Sequence, residues 1–107
     1  DVKGMTCVVI DDMIDTAGTI TKAVEALFDA GAKDVIIAAT HAVFSGPAVE
    51  RLRDSRAVEI VVTDSLPLSE DQKFDKLTVL SIAPLLARAI REVFEDGSVT
   101  SLFDGHS

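Results

Sequence analysis

The sequence has 107 residues, of which 48% are hydrophobic, and a formal net charge of −8 at pH 7. This length and composition suit one small globular domain with a real core and favour a folded segment over a disordered one. The excess of carboxylates repels nucleic acid and anionic membranes, so we expect neither as a partner. A small phosphorylated ligand is compatible with this charge, because backbone amides at a helix N-terminus hold phosphate without a basic surface.

The cysteine usage and the hydropathy pattern indicate a cytoplasmic protein. Cys7 is the single cysteine and lies in an apolar run, so the chain offers it no disulfide partner. No apolar run is long enough to cross a bilayer. The sequence starts at Asp1 without an initiator methionine, and we expect it to be a fragment of a longer protein.

Short apolar runs alternate with amphipathic stretches along the chain. This pattern predicts strands at residues 6–10, 34–39, 59–63 and 77–81. It predicts helices at residues 18–30, 47–53 and 83–94, between and after these strands. Gly31 stands where the first helix needs a left-handed residue after its end. The fold class we predict is α/β, a parallel sheet with helices on both faces. We expect the missing part of the protein to complete this sheet, and the tail from residue 97 to pack as a loop.

The acidic segment after the first predicted strand is the candidate binding site. Asp11 and Asp12 end the strand, Asp15 follows in a short loop, and the helix starts near Gly18. Ligands of open parallel α/β sheets bind beyond the carboxyl ends of the strands, which is where this loop lies. Carboxylates there can accept hydrogen bonds from sugar hydroxyls or hold a hydrated Mg²⁺.

The start of the first predicted helix supplies donors for an anion. The free amides of residues 16–19 and the helix dipole favour a phosphate, and Thr16 and Thr19 add hydroxyl donors. Gly18 allows the backbone to approach a ligand closely. A phosphate at one end and two hydroxyls at the other describe ribose 5-phosphate. The alternative is that the acids are solvated, that one of them caps the helix, and that the threonines complete the cap.

Several segments carry a family resemblance. The stretch DDMIDTAGT resembles the phosphoribosyl-binding signature of type I phosphoribosyltransferase-like proteins. Together with AGAKDVIIAATHAVFSGPAVERL, VVTDSLPL, SIAPLLARAI and SVTSLF, it resembles ribose-phosphate pyrophosphokinases (phosphoribosyl pyrophosphate synthetases) over essentially the whole chain. The resemblance implies that residues 1–107 are the C-terminal portion of the phosphoribosyltransferase-like C-terminal domain of such an enzyme.

The same resemblance implies an activity and its participants. The whole enzyme would transfer pyrophosphate from ATP to the C1 hydroxyl of ribose 5-phosphate, with Mg²⁺ as cofactor. It implies contacts to the ribose from Asp11, Asp12 and Asp15, and to the 5-phosphate from Thr16, Ala17, Gly18 and Thr19. No direct metal ligand is expected, although Asp11 or Asp12 would reach Mg²⁺ through water. The ATP site and the catalytic residues would lie upstream, so we expect no catalytic residue here and an inactive fragment.

Histidines and tail hydroxyls receive separate interpretations. We interpret His41, at the end of the second predicted strand, as a hydrogen-bonded structural residue, and His106 as a chance placement without metal-binding spacing. Ser98 and Thr100 belong to the SVTSLF segment, for which the resemblance implies a regulatory site between subunits of a homo-oligomer. Its effector would be phosphate or a nucleoside diphosphate.

Two other functions compete with this interpretation. A non-catalytic, pyrophosphokinase-associated regulatory subunit would share the fold and the assembly, although retention of the three aspartates and two threonines disfavours it. A phosphoacceptor receiver domain also carries an acidic pair like that of VVIDDM, with Asp64 as its phosphoacceptor. It needs a lysine after a later strand, and Ile82, Ala83 and Pro84 stand there instead.

Overall fold

The computed structural model describes residues 1–95 of the chain. The tail, with Ser98, Thr100 and His106, lies outside this range, so the interpretations made for it stay predictions. The elements are β1 (Thr6–Ile14), α1 (Gly18–Asp29), β2 (Asp34–Ala42), α2 (Ala48–Asp54), β3 (Glu59–Thr63), a short 3-10 helix (Glu70–Gln72), β4 (Leu77–Leu80) and α3 (Ala83–Phe94).

The four strands form one parallel sheet in the order β1-β2-β3-β4. This confirms the predicted α/β class with a parallel sheet. The order also bears on the receiver-domain alternative, because flavodoxin-like folds place β1 between β2 and β3. Here β2 lies between β1 and β3, so the receiver alternative is wrong.

The first two strands are longer than the sequence predicts. β1 continues through Asp11 and Asp12 to Ile14, and β2 continues to Ala42, so that Ile14 pairs with Ala42. The prediction that the first strand spans residues 6–10 and gives way to a loop after Asp12 is therefore wrong, whereas Asp15 does lie after the strand. The physical reason is that pairing with β2 satisfies the backbone of the acidic stretch, while its side chains remain exposed to water at the tip of the sheet.

Helix boundaries follow local signals closely. α1 begins at Gly18 as predicted and ends one residue earlier than expected, at Asp29. Gly31 has φ 101°, and its amide donates to the carbonyl of Phe28 at 2.9 Å, which confirms the predicted left-handed residue. α2 begins one residue later than predicted, with Pro47 in front of its first turn.

The hydrophobic core lies between one face of the sheet and helices α1 and α2. Both crossovers run in the same direction along the sheet, and right-handed connections then place both helices on one face. The core consists of Ile14, Ala17, Ile20, Val24, Ala32, Val35, Ile37, Ala39, Ala42, Phe44, Ala48, Leu52, Ala57, Ile60 and Val62.

The opposite face of the sheet is uncovered within residues 1–95. The side chains of Val8 and Ile10 on β1 are 52% and 78% exposed, and α3 has no buried residue. We expected helices on both faces of the sheet, and within residues 1–95 helices α1 and α2 cover one face. None of the helices in residues 1–95 has the length and apolar character of a membrane span.

Lys76 connects the start of β4 to the segment between α2 and β3. Its ammonium donates hydrogen bonds to the carbonyls of Ser55 at 2.7 Å and Ala57 at 3.1 Å. Desolvation by burial lowers the pKa of Lys76, and the nearby carboxylate of Asp54 opposes part of that change. These contacts fix the end of α2, which matters for the site because α2 contacts the β1–α1 turn.

Candidate functional site

The turn between β1 and α1 is built around Ala17. This residue adopts a left-handed conformation, with φ 67° and ψ 10°, and its side chain is buried among the core residues. The chain thereby reverses from the end of β1 into the first turn of α1. The turn is also held by the segment after β2, since the amide of Ser45 donates to the carbonyl of Asp15 at 2.8 Å.

No side chain caps the N-terminus of α1. The first helical hydrogen bond runs from the amide of Thr21 to the carbonyl of Ala17 at 3.1 Å, which leaves the amides of residues 18–20 without partners inside the helix. The part of the alternative in which an aspartate caps this helix is therefore wrong, whereas the exposure of Asp11, Asp12 and Asp15 agrees with the part in which the acids are solvated. The helix start is instead free to bind an anion.

A small cavity of about 180 Å³ lies at this helix start. It is lined by Asp11, Met13, Ile14, Asp15, Thr16, Ala17, Gly18, Thr19 and Ile20. We call this cavity the cradle. It brings together every residue predicted to contact ribose 5-phosphate except Asp12.

Asp11 and Asp12 are separated by the alternation of side chains along β1. Both are exposed, but only Asp11 lines the cradle. The amide of Asp12 donates to the Asp11 carboxylate at 2.7 Å, so the first acid is also held by the backbone of the second. The sequence alone did not distinguish the two acids, because it placed both at the end of the first strand.

Arg51 is a residue at the site that the sequence analysis missed. It lies on α2, and its Nη1 donates a hydrogen bond to the carbonyl of Thr16 at 3.1 Å. A Cβ added to Gly18 would lie 3.1 Å from the same nitrogen. No local pattern signals this contact, because the two residues joined by the hydrogen bond are 35 positions apart.

A larger groove of about 780 Å³ runs between α1 and α2 and shares Thr16, Gly18 and Thr19 with the cradle. Its other charged residues are Lys22, Glu25, Asp29, Arg51 and Asp54. The groove contains neither Asp11 nor Asp15, so the cradle is the cavity that joins the start of α1 to acids of the predicted ribose contacts.

His41 lies on β2, one strand away from the cradle, opposite Met13. Its Nδ1 is 2.8 Å from the hydroxyl of Ser65, and that hydroxyl donates to the carbonyl of Thr40 at 3.2 Å. The ring and the serine hydroxyl therefore share a hydrogen bond, in which the donor depends on the tautomer of the ring. This contact agrees with the interpretation of His41 as a hydrogen-bonded structural residue.

Within residues 1–95, no three side chains of His, Cys, Asp or Glu converge on a point where they could hold a metal ion. Mg²⁺ usually keeps several waters and takes one or two carboxylates together with substrate phosphates. Asp11 and Asp12, exposed at the sheet tip, have the chemistry for such a water-mediated role.

Comparisons with known proteins identify the family of this chain. Residues 1–104 match the family model described as "Phosphoribosyl synthetase-associated domain". A ribose-phosphate pyrophosphokinase of Streptomyces coelicolor is 64% identical over 104 residues, covering 97% of this chain and 32% of that protein. The corresponding protein of Mycobacterium bovis is 65% identical over 105 residues, covering 98% of this chain and 32% of that protein.

A solved structure is similar as well. The phosphoribosylpyrophosphate synthetase of Mycobacterium smegmatis matches with a TM-score of 0.84 and 63% identity, over 91% of this chain and 33% of that chain. The chain thus spans about a third of the length of the curated relatives it matches.

Proposed function

The chain belongs to the phosphoribosyl synthetase-associated domain family, and we propose from this membership that it forms the ribose 5-phosphate-binding part of a pyrophosphokinase. The whole enzyme would transfer the pyrophosphoryl group of ATP to the C1 hydroxyl of ribose 5-phosphate. The observation that carries the proposal is the uncapped start of α1 facing a cradle that two aspartates also line.

The 5-phosphate would bind at the start of α1. The amides of residues 18–20 have no intrahelical acceptor, and the positive end of the helix dipole adds to their attraction for an anion. Thr16 and Thr19 line the same cavity, and their hydroxyls would donate two further hydrogen bonds. This arrangement binds a phosphate although the chain as a whole is acidic.

The sugar would lie towards the tip of β1. Asp11 and Asp15 line the cradle, and their carboxylates would accept hydrogen bonds from ribose hydroxyls. Asp12 would act at the outer side of the strand, through water or through hydrated Mg²⁺. When bound, Mg²⁺ neutralises charge on the phosphates of ATP.

The remaining parts of the proposal concern the whole protein. The ATP site and the catalytic residues would belong to the upstream part of the polypeptide, so this segment alone would bind substrate without turning it over. A homo-oligomer with a regulatory site for phosphate or nucleoside diphosphate at Ser98 and Thr100 completes the proposal. The free thiol of Cys7 supports a reducing, cytoplasmic setting.

Steady-state kinetics of the full-length protein test the proposal. Asp11→Asn should raise the KM for ribose 5-phosphate by about tenfold or more, since hydrogen bonds to charged groups are worth about 1.5 to 3 kcal/mol. Asp12→Asn should raise it less, because only Asp11 lines the cradle. The KM for ATP should stay unchanged in both variants, and Asp75→Asn, an exposed acid away from the cradle, serves as the matched control.

Two results would count against the proposal. An unchanged KM for ribose 5-phosphate in both Asp11→Asn and Asp12→Asn would remove the β1 acids from the substrate site. Saturable binding of ribose 5-phosphate without any turnover by the full-length protein would instead favour the non-catalytic regulatory subunit.

A further inference from the structure

Arg51 lies on α2, outside the β1–α1 turn, yet its guanidinium contacts that turn. We infer that Arg51 is a positioning residue, which holds the cradle in the conformation that binds the 5-phosphate of the sugar. This inference rests on the proposed function, because the positioned group is the binding site for ribose 5-phosphate.

The hydrogen bond from Arg51 fixes one peptide plane of the turn. Nη1 donates to the carbonyl of Thr16, which is the peptide immediately before Ala17. Since that peptide is planar and trans, holding its carbonyl towards Arg51 directs the amide of Ala17 the opposite way. The bond also stabilises a left-handed alanine, a conformation that persists only where its surroundings impose it.

The same contact bears on the glycine at position 18. Gly18 does not have a positive φ, so its backbone conformation is open to other residues. A Cβ there would lie 3.1 Å from Nη1 of Arg51 and 3.8 Å from the hydroxyl oxygen of Thr16. The absence of a side chain at Gly18 therefore leaves room for the guanidinium to reach the Thr16 carbonyl.

The charge of Arg51 acts in the same direction as its hydrogen bond. Two carboxylates, Asp11 and Asp15, line the cradle and repel a phosphate dianion. A guanidinium that contacts the turn offsets part of this repulsion and adds to the positive end of the helix dipole. Its exposure to solvent keeps this contribution modest and sensitive to salt.

The test compares arginine variants of α2 in the full-length enzyme. Arg51→Ala should raise the KM for ribose 5-phosphate by about tenfold, with kcat and the KM for ATP unchanged. Arg51→Lys should recover part of this loss, since an ammonium keeps the charge but lacks the fork of donors. Arg53→Ala is the matched control, because Arg53 is exposed on the same helix and faces a separate depression beside Phe74.

A double-mutant cycle tests the geometric part of the inference. Gly18→Ala should displace the guanidinium and raise the KM for ribose 5-phosphate, and adding this change to Arg51→Ala should raise it little further. If the two effects multiply, Gly18 serves the ligand directly and its link to Arg51 is refuted. Hydrogen exchange of the amides of residues 16–19 without ligand should also speed up in Arg51→Ala and not in Arg53→Ala.

The outcomes separate this inference from the proposed function. If the parent enzyme saturates with ribose 5-phosphate and Arg51→Ala leaves its KM unchanged, the inference alone is refuted. If Arg51→Ala lowers thermal stability and raises both substrate KM values together, its role is general stability, which also refutes the inference. If the parent shows no saturation by ribose 5-phosphate, the proposed function fails and the inference fails with it.

Discussion

The left-handed residue at the base of the cradle allows a quantitative prediction. Ala17 has φ 67° and is only 5% exposed. For a residue with a Cβ, this conformation costs about 1 to 2 kcal/mol, and Ala17→Gly removes that cost. The change also loses about 0.8 kcal/mol of methyl burial and about 0.5 to 1 kcal/mol through the greater entropy of the unfolded chain. We therefore expect the free energy of unfolding to change by less than about 1 kcal/mol.

Ala17→Val is the matched opposite change. A β-branched residue is a steric outlier in the left-handed region, which adds about 1 to 3 kcal/mol of strain. The two extra methyl groups also overpack a buried position, at about 1 to 3 kcal/mol. We expect Ala17→Val to destabilise the protein by about 2 to 6 kcal/mol and to raise the KM for ribose 5-phosphate, while Ala17→Gly changes neither appreciably.

Urea denaturation of the full-length protein, together with ribose 5-phosphate kinetics, measures both effects. The m-value shows whether the variants unfold with the same change in exposed surface as the parent. A loss of more than about 2 kcal/mol in Ala17→Gly would refute the reasoning, because it exceeds every term assigned to the removed methyl group. Normal stability and normal KM in Ala17→Val would show that the turn does not require a left-handed residue.

Two further predictions concern the support of α2 and the tail. Lys76→Met removes two hydrogen bonds from an ammonium to backbone carbonyls and should destabilise the protein by about 1 kcal/mol, at the low end because Lys76 is only partly buried. The pKa of Lys76 is lower in the folded protein than the ordinary value of 10.5, so between these two values the unfolded state binds more protons than the folded state. In that pH window the free energy of unfolding should therefore rise with pH in the parent, and this contribution should be absent in Lys76→Met. Replacing both Ser98 and Thr100 with alanine should weaken regulation by phosphate or nucleoside diphosphate and leave the KM for ribose 5-phosphate unchanged. If effector titrations of steady-state activity give the same curve for the double variant and the parent, these two residues do not form a regulatory site.

The sequence by itself determined the features that depend on neighbouring residues. Alternation of apolar runs with amphipathic stretches predicted the parallel α/β class, and the bounds of β3 and α3 agree with the prediction. Gly31 marked the end of the first helix, because a left-handed position disfavours residues with a Cβ. The stretch from Asp11 to Thr19 predicted the candidate site, and all but one of its predicted contact residues line the cradle at the end of β1 and the start of α1.

The tertiary structure decided which of these residues act together. The extension of β1 through Asp11 and Asp12 depends on pairing with β2, and it places the two acids differently with respect to the cradle. A polar stretch carries no local signal for a strand, because the energy that extends it comes from hydrogen bonds to a neighbouring strand. The contact between Arg51 and Thr16 depends on how α1 and α2 pack on one face of the sheet. That packing is set by the whole core, so no spacing within the sequence predicts it.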